Sequence, residues 1–190
     1  MDLSDKTTKK IVKACLRGDK KSQKKLYETF YSKMLVVCMR YANDVDEAKD
    51  ILHDGFIKVF TQLKNFGHKG SLEGWIRKIV VNTAIDSVRK KKDILFQRDD
   101  EYGFERDISD SEDIAAEKYM KMKAELVMKL IQKLTPMYRT VFNMYVIDNH
   151  THKEIAEMLN ISEGTSKSNL AKAKNKLREL FDEHINELEQ

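Results

Sequence analysis

The sequence predicts an all-α protein, and three observations carry that expectation. Charged residues make up 35% of the 190 residues and hydrophobic ones 41%, enough for modest cores under a heavily charged surface. There is one proline and there are only seven glycines, too few turn formers for a chain of many short strands. Apolar residues recur at spacings of three and four, the period of a helix with one buried face.

The elements follow in order. From Lys6 to Met39 the apolar positions Ile11, Cys15, Leu26, Phe30, Met34 and Val37 keep helical spacing, with a stop at Gly18-Asp19 that separates two helices. After a break at Asn43-Asp44, Asp44 or Asp46 can cap a third helix whose apolar face is Ala48, Ile51, Leu52, Phe56, Val59, Phe60 and Leu63. Its acids come early and its lysines late, as the macrodipole favours, and it should end near Asn65-Phe66-Gly67. A loop, FGHKGS, leads at Ser71 into WIRKIVVNTAIDSVRKKK, a helix with Trp75, Ile79 and Val80 turned inward and four consecutive basic residues at its end. Lys78, Asn82, Asp86 and Arg89 form a polar stripe along it. Residues 93–113 lose the periodicity and read as a flexible tether. Ala115 to Leu134 is again helical, and Thr135-Pro136 opens a helix with proline in its first turn and a core face of Val141, Phe142, Tyr145 and Val146.

Charge divides the chain the same way. Residues 1–92 hold 21 Lys/Arg against 11 Asp/Glu; residues 93–117 hold ten acids against Arg98 and Arg106; residues 118–190 come to +2, within a total of +4. We therefore expect a first domain over 1–92, an acidic linker over 93–117 and a second domain over 118–190.

The last segment carries the clearest motif. Thr151 can cap a short helix with Glu154 three residues on, a capping box, and Ile155, Ala156 and Leu159 form its buried side. Asn160 stands at the turn, where positive φ is needed. Ser162 caps a longer helix that buries Leu170, Ala173, Leu177 and Leu180/Phe181 and leaves Lys167, Ser168, Ala171, Lys172, Lys174 and Asn175 outside. A short helix, a tight turn and a longer helix with small and basic outer residues can enter a DNA major groove. Any helical hairpin with a solvated basic face would share this pattern.

The order of segments resembles an extracytoplasmic-function (ECF) sigma factor, a promoter-recognition subunit of bacterial RNA polymerase. DEAKDILHDGFIKVF (Asp46 to Phe60) is similar to the family's region 2 motif that docks on the polymerase clamp, which implies Asp50, Ile51, His53, Asp54 and Phe56 as polymerase contacts. NFGHKGSLEGWIRKIVVNTAIDSVRKK (Asn65 to Lys91) is similar to the segment that melts and reads the minus-10 element. LTPMYRTVFNMYVIDNHTHKEIAEMLNISEGTSKSNLAKAKNKLRE resembles region 4, which reads the minus-35 element and touches the polymerase flap. The likeness covers about residues 20–92 and 118–182. His53 replaces a usual glutamine, Asn160 a turn glycine and Ser166 a valine, while Asn169, Lys172 and Lys174 stand where arginines are common. Base preference should differ accordingly, because arginine pairs bidentately with guanine and lysine offers only a point charge.

The resemblance implies roles for the polar residues. Asn65, Phe66, Lys69 and Ser71 would capture unstacked minus-10 bases, with Lys78, Asn82, Asp86 and Arg89 facing duplex or separated strand. Trp75 is either a stacking platform or an anchor packed on Ile79. Lys90 and the lysines after it would hold phosphates without reading sequence. Lys167, Ser168, Asn169, Ala171 and Lys172 would face the major groove, Ala171 offering an apolar contact to a thymine methyl, with Thr165 and Lys174 nearer the backbone. The acidic linker would thread the polymerase channel as a mimic of nucleic-acid charge. Core RNA polymerase and promoter DNA are the implied partners, with an anti-sigma factor a further candidate.

Other chemistries find little support. The five histidines make no metal-ligand pattern, no glycine-rich phosphate loop occurs, and neither cysteine has a base beside it, so no enzyme, cofactor or metal is expected. His150 and His152 read as plain surface residues. Cys15 and Cys38 read as buried free thiols of a reducing cytoplasm, the resemblance implies a bacterial protein associated with the nucleoid, and no apolar run suggests membrane insertion. The competing function is a free-standing helix-turn-helix regulator, which would leave the clamp-like and melting-like motifs without a role.

Overall fold

The computed structural model describes residues 5–67, 70–95 and 125–188. All regular structure among them is helical: α1 (Asp5–Leu16), α2 (Lys20–Met39), α3 (Val45–Gln62), α4 (Leu72–Leu95), α5 (residues 125–132), α6 (Pro136–Phe142), α7 (His152–Leu159) and α8 (Glu163–Leu188). The chain divides into two compact units, Met1–Ser87 and Val88–Gln190. The expected linker and the expected start of a helix at Ala115 lie outside the described residues.

In the first unit the stops are those the sequence predicts. Gly18 takes φ +81°, and the Asp19 carboxylate accepts the backbone N–H groups of Lys21 and Ser22 to cap α2. Asp44 caps α3 through the Glu47 N–H at 2.7 Å, while the Glu47 carboxylate accepts from the N–H and side-chain amide of Asn43. The core joins Leu26, Met34, Val37 and Cys38 of α2 to Ala48, Leu52, Phe56 and Val59 of α3 and to Ile76, Val80, Ala84 and Ile85 of α4. Gly55 lets α3 and α4 approach closely, since a Cβ there would stand 3.2 Å from Val80 Cγ2. Burial pushes the Cys38 thiol up to about 12 and raises Cys15 as well, so neither buried thiol is set up as a nucleophile.

In the second unit α6 does not continue as a regular helix. Residues Asn143–Ile147 form a π-turn in which the Asp148 N–H donates to Asn143 O at 2.9 Å. The wider turn rotates the following side chains, so Asn143 and Met144 are buried while Tyr145 and Val146, expected in the core, are exposed. Arg139 is fully buried and donates to the backbone and side-chain oxygens of Gln132, tying α6 to α5.

Candidate nucleic-acid interface

The helix-turn-helix is built by local hydrogen bonds. Thr151 accepts the Glu154 N–H, and the Glu154 carboxylate accepts the Thr151 N–H at 2.8 Å, closing the capping box at the start of α7. The Thr151 N–H, and after it the Thr151 hydroxyl, donate to the Glu154 carboxylate and hold that carboxyl below its ordinary range. Asn160 adopts φ 53°, ψ 53° at the turn, and Ser162 accepts the Thr165 N–H at 2.9 Å at the start of α8.

Along α8 the two faces separate. Lys167, Ser168, Ala171, Lys172, Lys174 and Asn175 are exposed, whereas Leu170, Ala173 and Leu180 are buried. Thr165 is half-buried, its hydroxyl sharing a hydrogen bond with Ser162. Lys172 lies over the Tyr138 ring of α6 at 5.9 Å, which steadies the long side chain beside the outer face. Two expectations change. Asn169 is only 8% exposed and belongs to the packed side, because it precedes Leu170 and Ala173 on the arc that meets α6 and α7. Phe181, expected inside, is 47% exposed one position past Leu180.

His152 is not a plain surface residue. Its Nδ1 lies 2.9 Å from the hydroxyl of fully buried Ser166, and its ring stacks on Tyr145 with centroids 4.5 Å apart. Ser166, where a valine is usual in the resembling family, thus links α7 to α8 by a polar contact. The sequence signal for it is a polar residue at a position that periodicity assigns to the core.

The minus-10 candidates separate in the same way. Asn65 is exposed at the end of a 3-10 turn, Leu63–Asn65. Phe66 is buried and its ring meets Trp75 at 5.5 Å, so this aromatic pair anchors the loop to the domain instead of offering the Phe66 face to a base. Trp75 is half-buried and packed on Phe66. Ser71 is exposed and accepts the Gly74 N–H at 3.0 Å, and Lys69 lies outside the described residues. On α4, Lys78, Asn82, Arg89 and Lys90 are exposed, and Asp86 is half-buried with its carboxylate 3.2 Å from Lys58 of α3.

On α3, Asp50, His53 and Asp54 are exposed on one side. Ile51 and Phe56 are buried; the Phe56 ring stands edge-on to Tyr27 at 4.7 Å, so these two support the helix from within and present no surface to a partner. The sequence reading missed Ile57, 51% exposed, which lies four residues beyond His53 and three beyond Asp54 and extends their stripe.

Comparison with known families joins these surfaces. The sigma-70 region 2 model matches residues 26–94 and the sigma-70 region 4 model matches residues 124–177. The chain belongs to the sigma-70 family, in its extracytoplasmic-function branch. The sigma factor is 29% identical over 177 residues to the ECF RNA polymerase sigma factor SigW of Bacillus subtilis, covering 90% of this chain and 94% of that one. It is 26% identical over 193 residues to the RNA polymerase sigma-H factor of Pseudomonas aeruginosa, covering 98% and 97%. The fold is also that of the sigma factor RpoE from Bartonella quintana, solved in complex with the anti-sigma factor NepR: TM-score 0.50, 18% identity, covering 84% of this chain and 96% of that one. A free-standing regulator is not favoured, because both sigma regions are matched in order. Among the described residues no helix is long and apolar enough to cross a membrane.

Proposed function

We propose that this sigma factor binds core RNA polymerase and directs it to promoters in the bacterial cytoplasm, its domain over 1–92 opening and reading the minus-10 element and its domain over 118–190 reading the minus-35 element. The observation that supports this division most is the exposed arc of α8, Lys167, Ser168, Ala171 and Lys172, standing behind a fully capped turn. A rigid turn fixes which side chains lead into the groove, and small residues between lysines let the helix backbone approach the base edges. Without arginine forks the helix gives modest affinity alone, and holding the same promoter through the polymerase raises its effective concentration there.

In the first domain the stripe Asp50, His53, Asp54 and Ile57 would meet the polymerase, and Asn65, Ser71, Lys78, Asn82, Arg89 and Lys90 would meet promoter DNA. RNA synthesis belongs to the polymerase. The residues of 93–117 would act as an acidic tether in the polymerase channel; promoter opening and escape left unchanged after neutralising its acids would remove that role.

The test adds purified protein to core polymerase and scores transcription from a library of upstream sequences. Selective initiation at a common minus-35/minus-10 pair is expected. Tight operator binding without polymerase, and no selective initiation with it, would overturn the proposal.

A further inference from the structure

The basic residues of 1–92 are not confined to α4. Residues 6–25 hold nine of the 21 basic residues of 1–92 but only one of the 11 acids, Asp19. Lys9, Lys10 and Lys13 are exposed on α1, opposite the face that buries Ile11, Val12 and Cys15, and Arg17 is exposed in the turn that follows. Lys20, Lys21, Lys24 and Lys25 are exposed at the beginning of α2. The turn at Arg17–Asp19 connects the two sets, and the helices that carry them pack together as one basic hairpin.

Three features set this surface apart from an ordinary solvated face. First, an ordinary charged face interleaves both signs, yet of Lys9, Lys10, Lys13, Arg17, Lys20, Lys21, Lys24 and Lys25 only Lys24 is ion-paired, with Glu28 at 3.7 Å. Second, four lysines in the first six residues of α2 sit at the positive end of the helix dipole, where cations are unfavourable and anions are attracted, and no acid occupies the first turn. Asp19, the cap, engages its carboxylate with the Lys21 and Ser22 N–H groups. Third, α1 packs against the 3-10 turn Leu63–Asn65 that leads into the candidate base-capturing loop. The basic hairpin is therefore carried on a helix that abuts the segment leading into that loop.

We infer that the α1–α2 hairpin is a second DNA-binding surface, one that holds the phosphates of the promoter strand flanking the bases captured by the loop after α3. It reads no sequence, because lysines on phosphates fix position and carry no base code. Its contribution is affinity that is steep in salt, and it keeps the separated strand from re-pairing by holding its backbone beside the loop. The inference rests on the sigma reading for the identity of the DNA.

The experiment compares wild-type holoenzyme with a Lys9→Gln, Lys10→Gln, Lys13→Gln, Lys21→Gln variant on labelled forked promoter probes. One probe ends at the minus-10 bases; two others carry a single-stranded tail on one side or the other. All four lysines are exposed, and matching thermal melts of the two proteins check that the fold is intact. On one tailed probe the slope of log affinity against log salt should fall by about 3, since each single-strand phosphate that a lysine neutralises adds roughly 0.7 to it. On the tailless probe the two proteins should agree, and both should bind core polymerase equally. Equal slopes on every probe, or the same decrease on every probe, would overturn the inference. So would weaker binding to phosphatidylglycerol vesicles with unchanged DNA slopes, which would assign the patch to a membrane surface. If wild type fails to join core polymerase, the sigma reading falls, and the slopes of the free proteins on the tail oligonucleotide then decide the hairpin by the same criterion.

Discussion

At the level of single residues, polar contacts inside the helix-turn-helix hold α8 against α7. Ser166→Ala removes the partner of His152 Nδ1 at a buried position and should cost about 1 kcal/mol in urea unfolding of the protein. A variant as stable as wild type would show that the hydrogen bond contributes nothing. Glu154 gives a pH dependence. Its carboxyl is held below its ordinary 4.5 by the bonds from Thr151, so the stabilisation is complete above pH 4.5 and is lost as pH falls through the lower folded value. The thermal midpoint should therefore drop more steeply below pH 4.5 in wild type than in Glu154→Gln, which keeps a capping oxygen but cannot titrate. Parallel curves for the two proteins would contradict this.

Among elements, the packing of α3 on α4 is the one on which the first domain's candidate surfaces depend, since α3 carries the stripe proposed to meet polymerase and α4 the stripe proposed to meet DNA. Gly55 sets their spacing against Val80. Gly55→Leu should force the helices apart and destabilise the domain by about 2 kcal/mol, read as a lower denaturant midpoint. An unchanged midpoint would mean that the interface adapts freely. Phe56→Ala belongs to the same class: removing its packing on Tyr27 should cost about 3–5 kcal/mol. Weakened polymerase binding by that variant would report unfolding, because the ring has no surface to offer a partner.

For the molecule as a whole, the prediction is a division of labour between surfaces. Asp50→Ala and Ile57→Ala should weaken binding to core polymerase in a direct binding assay, while Lys172→Ala should chiefly reduce use of the minus-35 element in transcription from paired promoter templates. Equal effects of these exposed substitutions in both assays would contradict the assignment. The placement of the charges fits such a machine. In α8, the proposed recognition helix, five basic residues are balanced by five acids, so the proposal combines specificity from one domain with affinity from the other and from the polymerase.

The helices and most of their ends are legible in the chain itself, because they are set by short-range physics. Asp19, Asp44, Thr151 with Glu154, Asn160 and Ser162 each act on backbone groups within a few residues. The order of the motifs also pointed to the family. Which residues of each face meet solvent is a matter of packing. Periodicity locates an apolar stripe to within about 100°, and neighbouring helices settle the residues at its margins. Thus Phe66 and Asn169 turn inward, while Ile57 and Phe181 remain outside. The π-turn at Asn143–Ile147 exposes Tyr145 and Val146, because one widened turn breaks the period on which the reading depended. His152 and Ser166, fourteen residues apart, meet only when α7 packs on α8, a distance no local pattern spans.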